Sequence, residues 1–131
     1  LSSKNEIIII SNKNKKIISG DEDQLYRVFI NLIKNSEDSI EEKKEKNKLF
    51  KGKINIVIHE NKDYISISLA DNGVGIKDTT KIMTPYFTTK KDGTGLGLPI
   101  VSKIISEHKG ELVVLNNNPG VKVLITLPKI N

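Results

Sequence analysis

Apolar and polar residues alternate in several short stretches of this chain, which predicts strands with one buried face. Two of them, residues 53–59 and 64–69, are separated by a short polar stretch and predict a β-hairpin. A second pair, residues 111–115 and 121–127, flanks a turn of sequence Asn-Asn-Asn-Pro-Gly. Two β-branched runs near the N-terminus, at residues 7–10 and 16–18, predict two further short strands.

A repeat of apolar residues at spacings of three and four predicts a first helix. It follows Gly20, with Asp21 as its N-cap and Gln24 completing a pair that resembles a capping box. Its apolar stripe consists of Leu25, Val28, Phe29, Leu32, Ile33, Ser36 and Ile40. Asn31 and Asn35 line up beside this stripe together with Asp38, at the margin where a helix meets its sheet. A ligand site and a plain solvated flank are equally compatible with that position.

A second helix is predicted after Pro99, which suits the first turn because its missing N–H has no partner there. Its apolar face consists of Ile100, Val101, Ile104 and Ile105, and Gly110 is the predicted C-terminal cap. In the element order β-β-α-β-β-α-β-β, hairpins dominate over β-α-β crossovers. This order predicts the α+β class: a two-layer α/β sandwich with a mixed, mostly antiparallel sheet and helices on one face.

A run of charged residues at positions 41–53 interrupts these patterns. We interpret it as a fraying helix end followed by an exposed loop, without a chemical role.

Composition limits the class of protein. A chain of 131 residues with 37% hydrophobic and 28% charged residues is typical of one soluble globular domain. No apolar run approaches the roughly 20 residues of a membrane helix, and we find no signal peptide. The absence of cysteine excludes disulfides and thiolate metal sites, which fits a cytosolic domain. The net charge of +5 comes almost entirely from scattered lysines, so a nucleic-acid-binding surface is a poor interpretation.

Two glycine clusters, at residues 71–76 and 93–98, bracket a polar segment that contains Pro-Tyr-Phe-Thr-Thr-Lys at residues 85–90. Glycine lets a backbone approach a ligand closely, so the arrangement suggests a nucleotide pocket with a lid. We expect residues 77–92 to be disordered without nucleotide, because few large apolar residues anchor them. Neither cluster is a dinucleotide fingerprint or a Walker loop.

Four segments together resemble the ATP-binding domain of histidine kinases. Residues 31–36 (Asn-Leu-Ile-Lys-Asn-Ser) resemble its asparagine box, and residues 71–76 (Asp-Asn-Gly-Val-Gly-Ile) its first glycine box. Residues 85–90 resemble the phenylalanine box, and residues 93–98 (Gly-Thr-Gly-Leu-Gly-Leu) the second glycine box. The resemblance is closest to sensor kinases of the nitrogen-regulation type. It implies the Bergerat-type fold shared with gyrase and heat-shock chaperones.

The resemblance implies a role for each of these segments. Asp71 would accept a hydrogen bond from the adenine amine, while Gly73 and Gly75 let the backbone pass close to the base. Asn35 would ligate Mg²⁺, and Asn31 would assist through water or the phosphates.

The phosphates of ATP would be held at the start of the second helix. The implied phosphate-binding residues are Thr94, Gly95, Leu96, Gly97 and Leu98, with Lys90 as a cation that reaches the terminal phosphates. Ile76, Leu98 and Ile125 would form apolar walls around the adenine. Asn31, Asn35 and Lys90 are the implied catalytic residues.

By the same resemblance, residues 1–131 are one catalytic domain of a sensor kinase, without its phosphoacceptor and sensor regions. Such a domain passes the γ-phosphoryl group of ATP to a histidine on a separate dimerisation domain, which then serves a response regulator. We expect no nucleic-acid partner, no direct membrane contact by this domain and a cytoplasmic location. His59 and His108 lack the family's phosphoacceptor context, and we interpret them as structural or surface residues.

Two departures from the family pattern matter. Gyrase-type and chaperone-type ATPases carry a glutamate base where this chain has Asn31, which favours transfer to a side chain over activation of water. Many sensor kinases have a lysine where this chain has Asp38, so Arg27, Lys34 or Lys90 would have to replace it. A regulatory nucleotide-binding module without transfer activity is the alternative function. A serine kinase that acts on an anti-sigma partner would usually need the missing glutamate.

Overall fold

The computed structural model describes residues 5–11, 22–75, 97–117 and 119–129. Within these ranges the chain forms one sheet of five strands and two α-helices. The elements in chain order are β1 (Glu6–Ser11), α1 (Glu22–Lys46), β2 (Lys53–Glu60), β3 (Tyr64–Asp71), α2 (Gly97–Glu107), β4 (Glu111–Asn116) and β5 (Val121–Pro128). The predicted strand at residues 16–18, the N-cap Asp21 and the predicted lid at residues 77–92 lie outside the described residues.

The strands are ordered β1-β2-β3-β5-β4 across the sheet. β1 and β2 pair in parallel, and the other neighbouring pairs are antiparallel. The predicted mixed, mostly antiparallel sheet is therefore confirmed. The register places Asp71, the last residue of β3, opposite Ile54 near the start of β2.

One hydrophobic core lies between the sheet and the two helices. The strands contribute every second residue, as the alternating pattern predicts, and the helices contribute one stripe each. Its fully buried members include Val28, Ile40, Ile54, Leu69, Val101, Ile105, Ile125 and Leu127. Neither helix is long and apolar enough to cross a membrane.

α1 continues beyond its apolar stripe into the charged run. Residues 41–46 form the end of the helix and residues 47–49 are exposed, in agreement with the predicted helix end followed by an exposed loop, while the fraying stays a prediction. Lys43 and Lys44 are half-buried, and Lys44 Nζ donates to Asn5 Oδ1 at 2.8 Å. Lys43 Nζ lies 4.6 Å from the centroid of the Phe50 ring. These tertiary contacts hold a turn that charge patterning alone would leave exposed.

The end of α2 also differs from the prediction. The residue with positive φ is Lys109, at 60°, and not Gly110. Lys109 N donates to Ser106 O, and Gly110 N donates to Ile105 O, both at 2.9 Å, in the pattern of a Schellman motif. Gly110 is needed for a different reason: a Cβ there would come within 2.6 Å of the carbonyl oxygen of Thr126 on β5.

Candidate functional site

Asp71 ends β3 as a buried carboxylate, with only 4% of its surface exposed. Its Oδ1 accepts the N–H of Gly73 at 2.9 Å and the N–H of Val121 at 3.2 Å. Its Oδ2 accepts the hydroxyl of Ser36, on α1, at 2.9 Å. The carboxylate is therefore fixed by one helix, its own loop and the neighbouring strand. The strand predicted over residues 64–69 would end just before Asp71, whereas in the structure Asp71 is the last paired residue of β3.

Burial raises the pKa of the Asp71 carboxyl above its ordinary value, since desolvation penalises the charged form. The hydrogen bonds from Gly73, Ser36 and Val121, and the charge of Lys43, act in the opposite direction. Among the described residues, the groups that donate to this carboxylate are neutral, so its negative charge is not compensated by direct contact with a cation there. Such a group favours a ligand that brings a hydrogen-bond donor.

The loop that follows Asp71 is tied to α1 at successive residues. Ser39 Oγ accepts the N–H of Val74 at 3.0 Å, and Lys43 Nζ donates to the carbonyl of Asn72 at 3.2 Å. Ser36, Ser39 and Lys43 are spaced by three and four residues and therefore lie on one face of the helix. This face fixes the position of the loop relative to the helix.

The side chain of Asn72 anchors the same loop to the start of β2. Its Oδ1 accepts the N–H of Lys53 at 2.8 Å, and its Nδ2 donates to the carbonyl of Lys51 at 3.2 Å. The anchoring role of Asn72 was not predicted from the sequence, although its place beside a strand end was a signal that could have indicated one.

The two glycines of this loop are explained by packing within the protein. A Cβ at Gly73 would overlap the side chain and backbone of Ser39. The loop can therefore approach α1 this closely only because residue 73 is a glycine. Gly75 has a φ of 82°, a backbone conformation that residues other than glycine rarely adopt. Both therefore bring the loop against α1 and the β4–β5 turn, which the sequence did not reveal.

The turn between β4 and β5 forms a further wall beside Asp71. Gly120 has a φ of 90°, and a Cβ there would overlap the carbonyl oxygen of Asp71. Asn117 N donates to Gly120 O at 2.9 Å, and its side chain donates to the carbonyl of Asp71 at 3.4 Å. The Pro-Gly pair in the sequence predicted a sharp turn here. It did not indicate that the turn would lie beside Asp71.

Asn31 and Asn35 lie one turn apart on α1, and both are half-buried. Asn31 Nδ2 donates to the carbonyl of Arg27 at 2.9 Å, which leaves Oδ1 as the oxygen that can serve a ligand. Arg27 and Lys34 are exposed on the same helix. The part of the chain that the structure describes contains no cluster of three or more His, Cys, Asp or Glu side chains suited to a metal.

The remaining predicted site residues are only partly described. α2 begins at Gly97, and Leu98 is half-buried against the core. Ile125 is a core residue of β5, with 2% of its surface exposed. Ile76, Lys90, Thr94, Gly95 and Leu96 lie outside the described residues, so the structure does not test their placement.

Neither histidine belongs to the candidate site. His59 is exposed on β2, and the Nδ1 atom of His108 lies 2.8 Å from the carbonyl oxygen of Ile104 within α2. Both positions agree with the interpretation of these residues as structural or surface histidines.

Comparison with known proteins identifies the family. Residues 20–131 match the family described as histidine kinase-, DNA gyrase B- and HSP90-like ATPase. The chain is 36% identical to sporulation kinase A of Bacillus subtilis over 121 residues, which cover 89% of this chain and 18% of that protein. It is 40% identical over 98 residues to a Rickettsia conorii sensor histidine kinase named NtrY-like, covering 73% of this chain and 15% of that one.

Solved structures give the same result. The catalytic domain of histidine kinase ThkA, in a nucleotide-free form, is similar with a TM-score of 0.77 and 30% identity, covering 95% of this chain and 80% of that one. Full-length ShkA in complex with AMPPNP shares the fold with a TM-score of 0.76 at 22% identity, covering 98% of this chain and 26% of that one.

The chain therefore belongs to the histidine kinase-, DNA gyrase B- and HSP90-like ATPase family. Within it, the relatives are sensor histidine kinases, and the chain corresponds to their ATP-binding catalytic domain. The resemblance read from the four sequence boxes is confirmed. The chain spans less than a fifth of the length of the Bacillus subtilis kinase.

Proposed function

We propose that this chain binds Mg·ATP and transfers the γ-phosphoryl group to a histidine on a separate dimerisation domain, which then supplies a response regulator. The domain acts in the cytoplasm, where ATP is available, without contacting nucleic acid or membrane itself. The relatives support this proposal because several of them are named as sensor histidine kinases. The observation that carries it is the buried, neutrally bonded carboxylate of Asp71.

Asp71 gives the site its preference for adenine. Its Oδ1 already accepts two backbone N–H groups, so the amine of the base donates to Oδ2, which the Ser36 hydroxyl shares. Guanine presents a carbonyl oxygen where adenine has this amine. A carboxylate facing that oxygen would be repelled and left unpaired, and the cost of that arrangement produces the selectivity.

Asn35 would hold the magnesium ion, whose charge neutralises the phosphates, and Asn31 would assist through water or the phosphates. Amide oxygens suit this hard cation, which usually keeps several waters and takes further ligands from the substrate phosphates. The hydrogen bond from Asn31 Nδ2 to Arg27 supports the assignment because it leaves the side-chain oxygen for the ligand.

The phosphates would approach the start of α2. The first N–H groups of an α-helix have no acceptor within the helix, and together with the helix dipole they favour an anion at the start of α2. Thr94, Gly95, Leu96, Gly97 and Leu98 supply these groups in our proposal, and Lys90 supplies a cation for the terminal phosphates. The family resemblance supports these last assignments.

In the transfer itself the bond between the γ-phosphorus and its bridging oxygen breaks, and ADP leaves with that oxygen. A bond forms between the γ-phosphorus and a nitrogen of the acceptor imidazole, which loses its proton to solvent. The protein contributes positioning and charge neutralisation, as phosphoryl transfer generally requires. Asn31 offers no carboxylate to activate water, which favours the imidazole as acceptor.

The direct test is transfer in trans. The domain is incubated with ATP labelled at the γ-phosphate, Mg²⁺ and an isolated histidine-bearing dimerisation domain of a sensor histidine kinase. We expect label on a histidine of the acceptor, stable to base and labile to acid. Nucleotide binding without any transfer to an acceptor domain, including that of the parent protein, would support the regulatory module instead.

The metal assignment has its own test. Asn35→Ala should weaken nucleotide binding in the presence of Mg²⁺ by about 10-fold or more, with little change when EDTA is present. Asn55→Ala, which removes an exposed asparagine on β2, is the matched control and should change neither value. An equal loss with and without Mg²⁺ would contradict the role of Asn35 as a metal ligand.

A further inference from the structure

Ser36 was placed by its spacing in the apolar stripe of α1, but the structure gives it a different task. Its side chain is buried, with 4% of the residue exposed, and its hydroxyl donates to Asp71 Oδ2 at 2.9 Å. The two residues are 35 positions apart in the chain. A helix residue therefore reaches across to the carboxylate at the end of β3.

The acceptor positions of the carboxylate show why this bond matters. An ionised carboxylate offers about four lone-pair positions, two on each oxygen. The N–H groups of Gly73 and Val121 occupy both positions of Oδ1. Ser36 occupies one position of Oδ2, so among the described residues one acceptor position of Asp71 is left without a donor.

The Ser36 bond also fixes how the carboxyl group is rotated. The two N–H groups hold Oδ1 from the loop and from β5, on one side, and Ser36 holds Oδ2 from the helix. Three donors from separate elements define the plane of the group, whereas the two donors on Oδ1 alone would leave it free to swing. The direction of the remaining acceptor position depends on this plane.

We infer that Ser36 is a positioning residue for base recognition: it orients Asp71 so that the free acceptor position of Oδ2 faces the amino group of an adenine nucleotide. The inference rests on the proposed function, since it assumes that Asp71 receives the base. Ser36 acts through Asp71 and need not contact the ligand.

The test compares an adenine nucleotide with its inosine counterpart, which carries an oxygen in place of the amino group. The affinities of AMPPNP and inosine triphosphate are measured with Mg²⁺ by NMR chemical-shift titration. Ser36→Ala should lower AMPPNP affinity about 5- to 30-fold and change inosine triphosphate affinity little, so the ratio of the two falls. Ser66→Ala removes an exposed serine on β3 and should leave the ratio unchanged.

A double-mutant cycle separates positioning from general loosening. If Ser36 acts through the carboxylate, Ser36→Ala in an Asp71→Asn background should change the ratio by less than about 2-fold. A similar drop in both backgrounds, or an unchanged ratio in the single variant, would overturn the role of Ser36 while leaving the proposed function intact. A folded wild-type domain that binds neither nucleotide would overturn both.

Discussion

Two buried acidic side chains lie at opposite ends of the β2–β3 hairpin, and their hydrogen-bonding partners are of different kinds. Glu60, next to the hairpin turn, contacts Lys129 Nζ at 2.5 Å, and both side chains are almost fully buried. Asp71, at the far end of β3, is bonded by a hydroxyl and two backbone N–H groups. The two ends are about 20 Å apart along the strand.

In our proposal, this difference separates a structural carboxylate, Glu60, from a ligand-binding one, Asp71. Lys129 also donates to the carbonyl of Asn61, and its own N–H donates to the carbonyl of Asp63. The ion pair thereby fastens the end of β5 to the hairpin turn. Among the described residues, the partners printed for Asp71 are neutral donors, and in our proposal its charge and its remaining acceptor position serve a ligand. Burial alone does not distinguish the two roles; the chemistry of the partners does.

The largest effect is expected at the structural end. Glu60→Gln leaves the Lys129 ammonium buried without its counter-charge, which should lower the free energy of unfolding by about 3–5 kcal/mol. Nucleotide affinity of the folded fraction should not change. Urea denaturation followed by circular dichroism measures the loss.

The pair Glu60→Leu with Lys129→Met is the control, because it removes both charges and should recover most of the stability. A Glu60→Gln protein as stable as the wild type would show that this end of the sheet does not depend on the ion pair.

At Asp71 we expect the opposite result: a large loss of nucleotide affinity and a small loss of stability. Asp71→Asn keeps the shape of the side chain but removes the charge, and a charge-assisted hydrogen bond contributes about 1.5–3 kcal/mol. We expect AMPPNP affinity to fall by about 10- to 150-fold, with a much smaller change in stability than at Glu60. Unchanged affinity would contradict the assignment of Asp71 to the adenine.

The β4–β5 turn should affect both properties. Gly120→Ala forces a side chain into a positive φ and against the carbonyl of Asp71, at a cost of about 1–3 kcal/mol in stability. It should also weaken AMPPNP binding, because Val121 would lose its bond to Asp71 Oδ1. Pro119→Ala, at the exposed neighbouring position, is the matched control. Loss of stability with full affinity would exclude the turn from the site.

The smallest effect is a pH dependence with two opposite signs. Because burial raises the pKa of Asp71, the folded protein binds a proton where the unfolded chain has released it. Its contribution to stability is thus fully present below the ordinary value of 3.8 and is lost as the pH rises through the folded pKa. Nucleotide affinity should fall as the pH decreases through the folded pKa of Asp71, because the adenine amine requires the ionised carboxylate as acceptor.

Titrations of wild type and Asp71→Asn with AMPPNP from about pH 4 to about pH 8 test this dependence. The nucleotide's own phosphates titrate equally with both proteins, so the difference between the two profiles isolates Asp71. Superimposable profiles would contradict a role for its charge.

Most of the fold was predictable because its strands alternate and its helices repeat at a regular spacing. The parallel pairing of β1 with β2 joins residues more than 40 positions apart, and no local pattern reports such a contact. The extended end of α1 depends on Asn5 and Phe50 in the same way. At the end of α2, the preference of glycine for positive φ predicted Gly110 as the capping residue, whereas Lys109 has the positive φ. Gly110 is instead needed because the backbone there lies close to β5.

The candidate site was predictable only where glycine and carboxylate form a recognisable sequence. The boxes identified Asp71 and the asparagines, but helical spacing reports which face is buried and not what that face meets. Ser36 was therefore counted with the apolar residues, although it bonds Asp71. The turn that ends at Gly120 is brought to the site by strand order, which is a property of the whole sheet.

The most direct test of the account is a calorimetric titration of the wild-type domain with AMPPNP and with GMPPNP, each with and without Mg²⁺. We expect binding of AMPPNP in the micromolar range, strengthened by Mg²⁺, and GMPPNP binding weaker by about 100-fold or more. Equal binding of the two nucleotides, or no binding by a folded domain, would contradict the claim that the carboxylate of Asp71 recognises the adenine base.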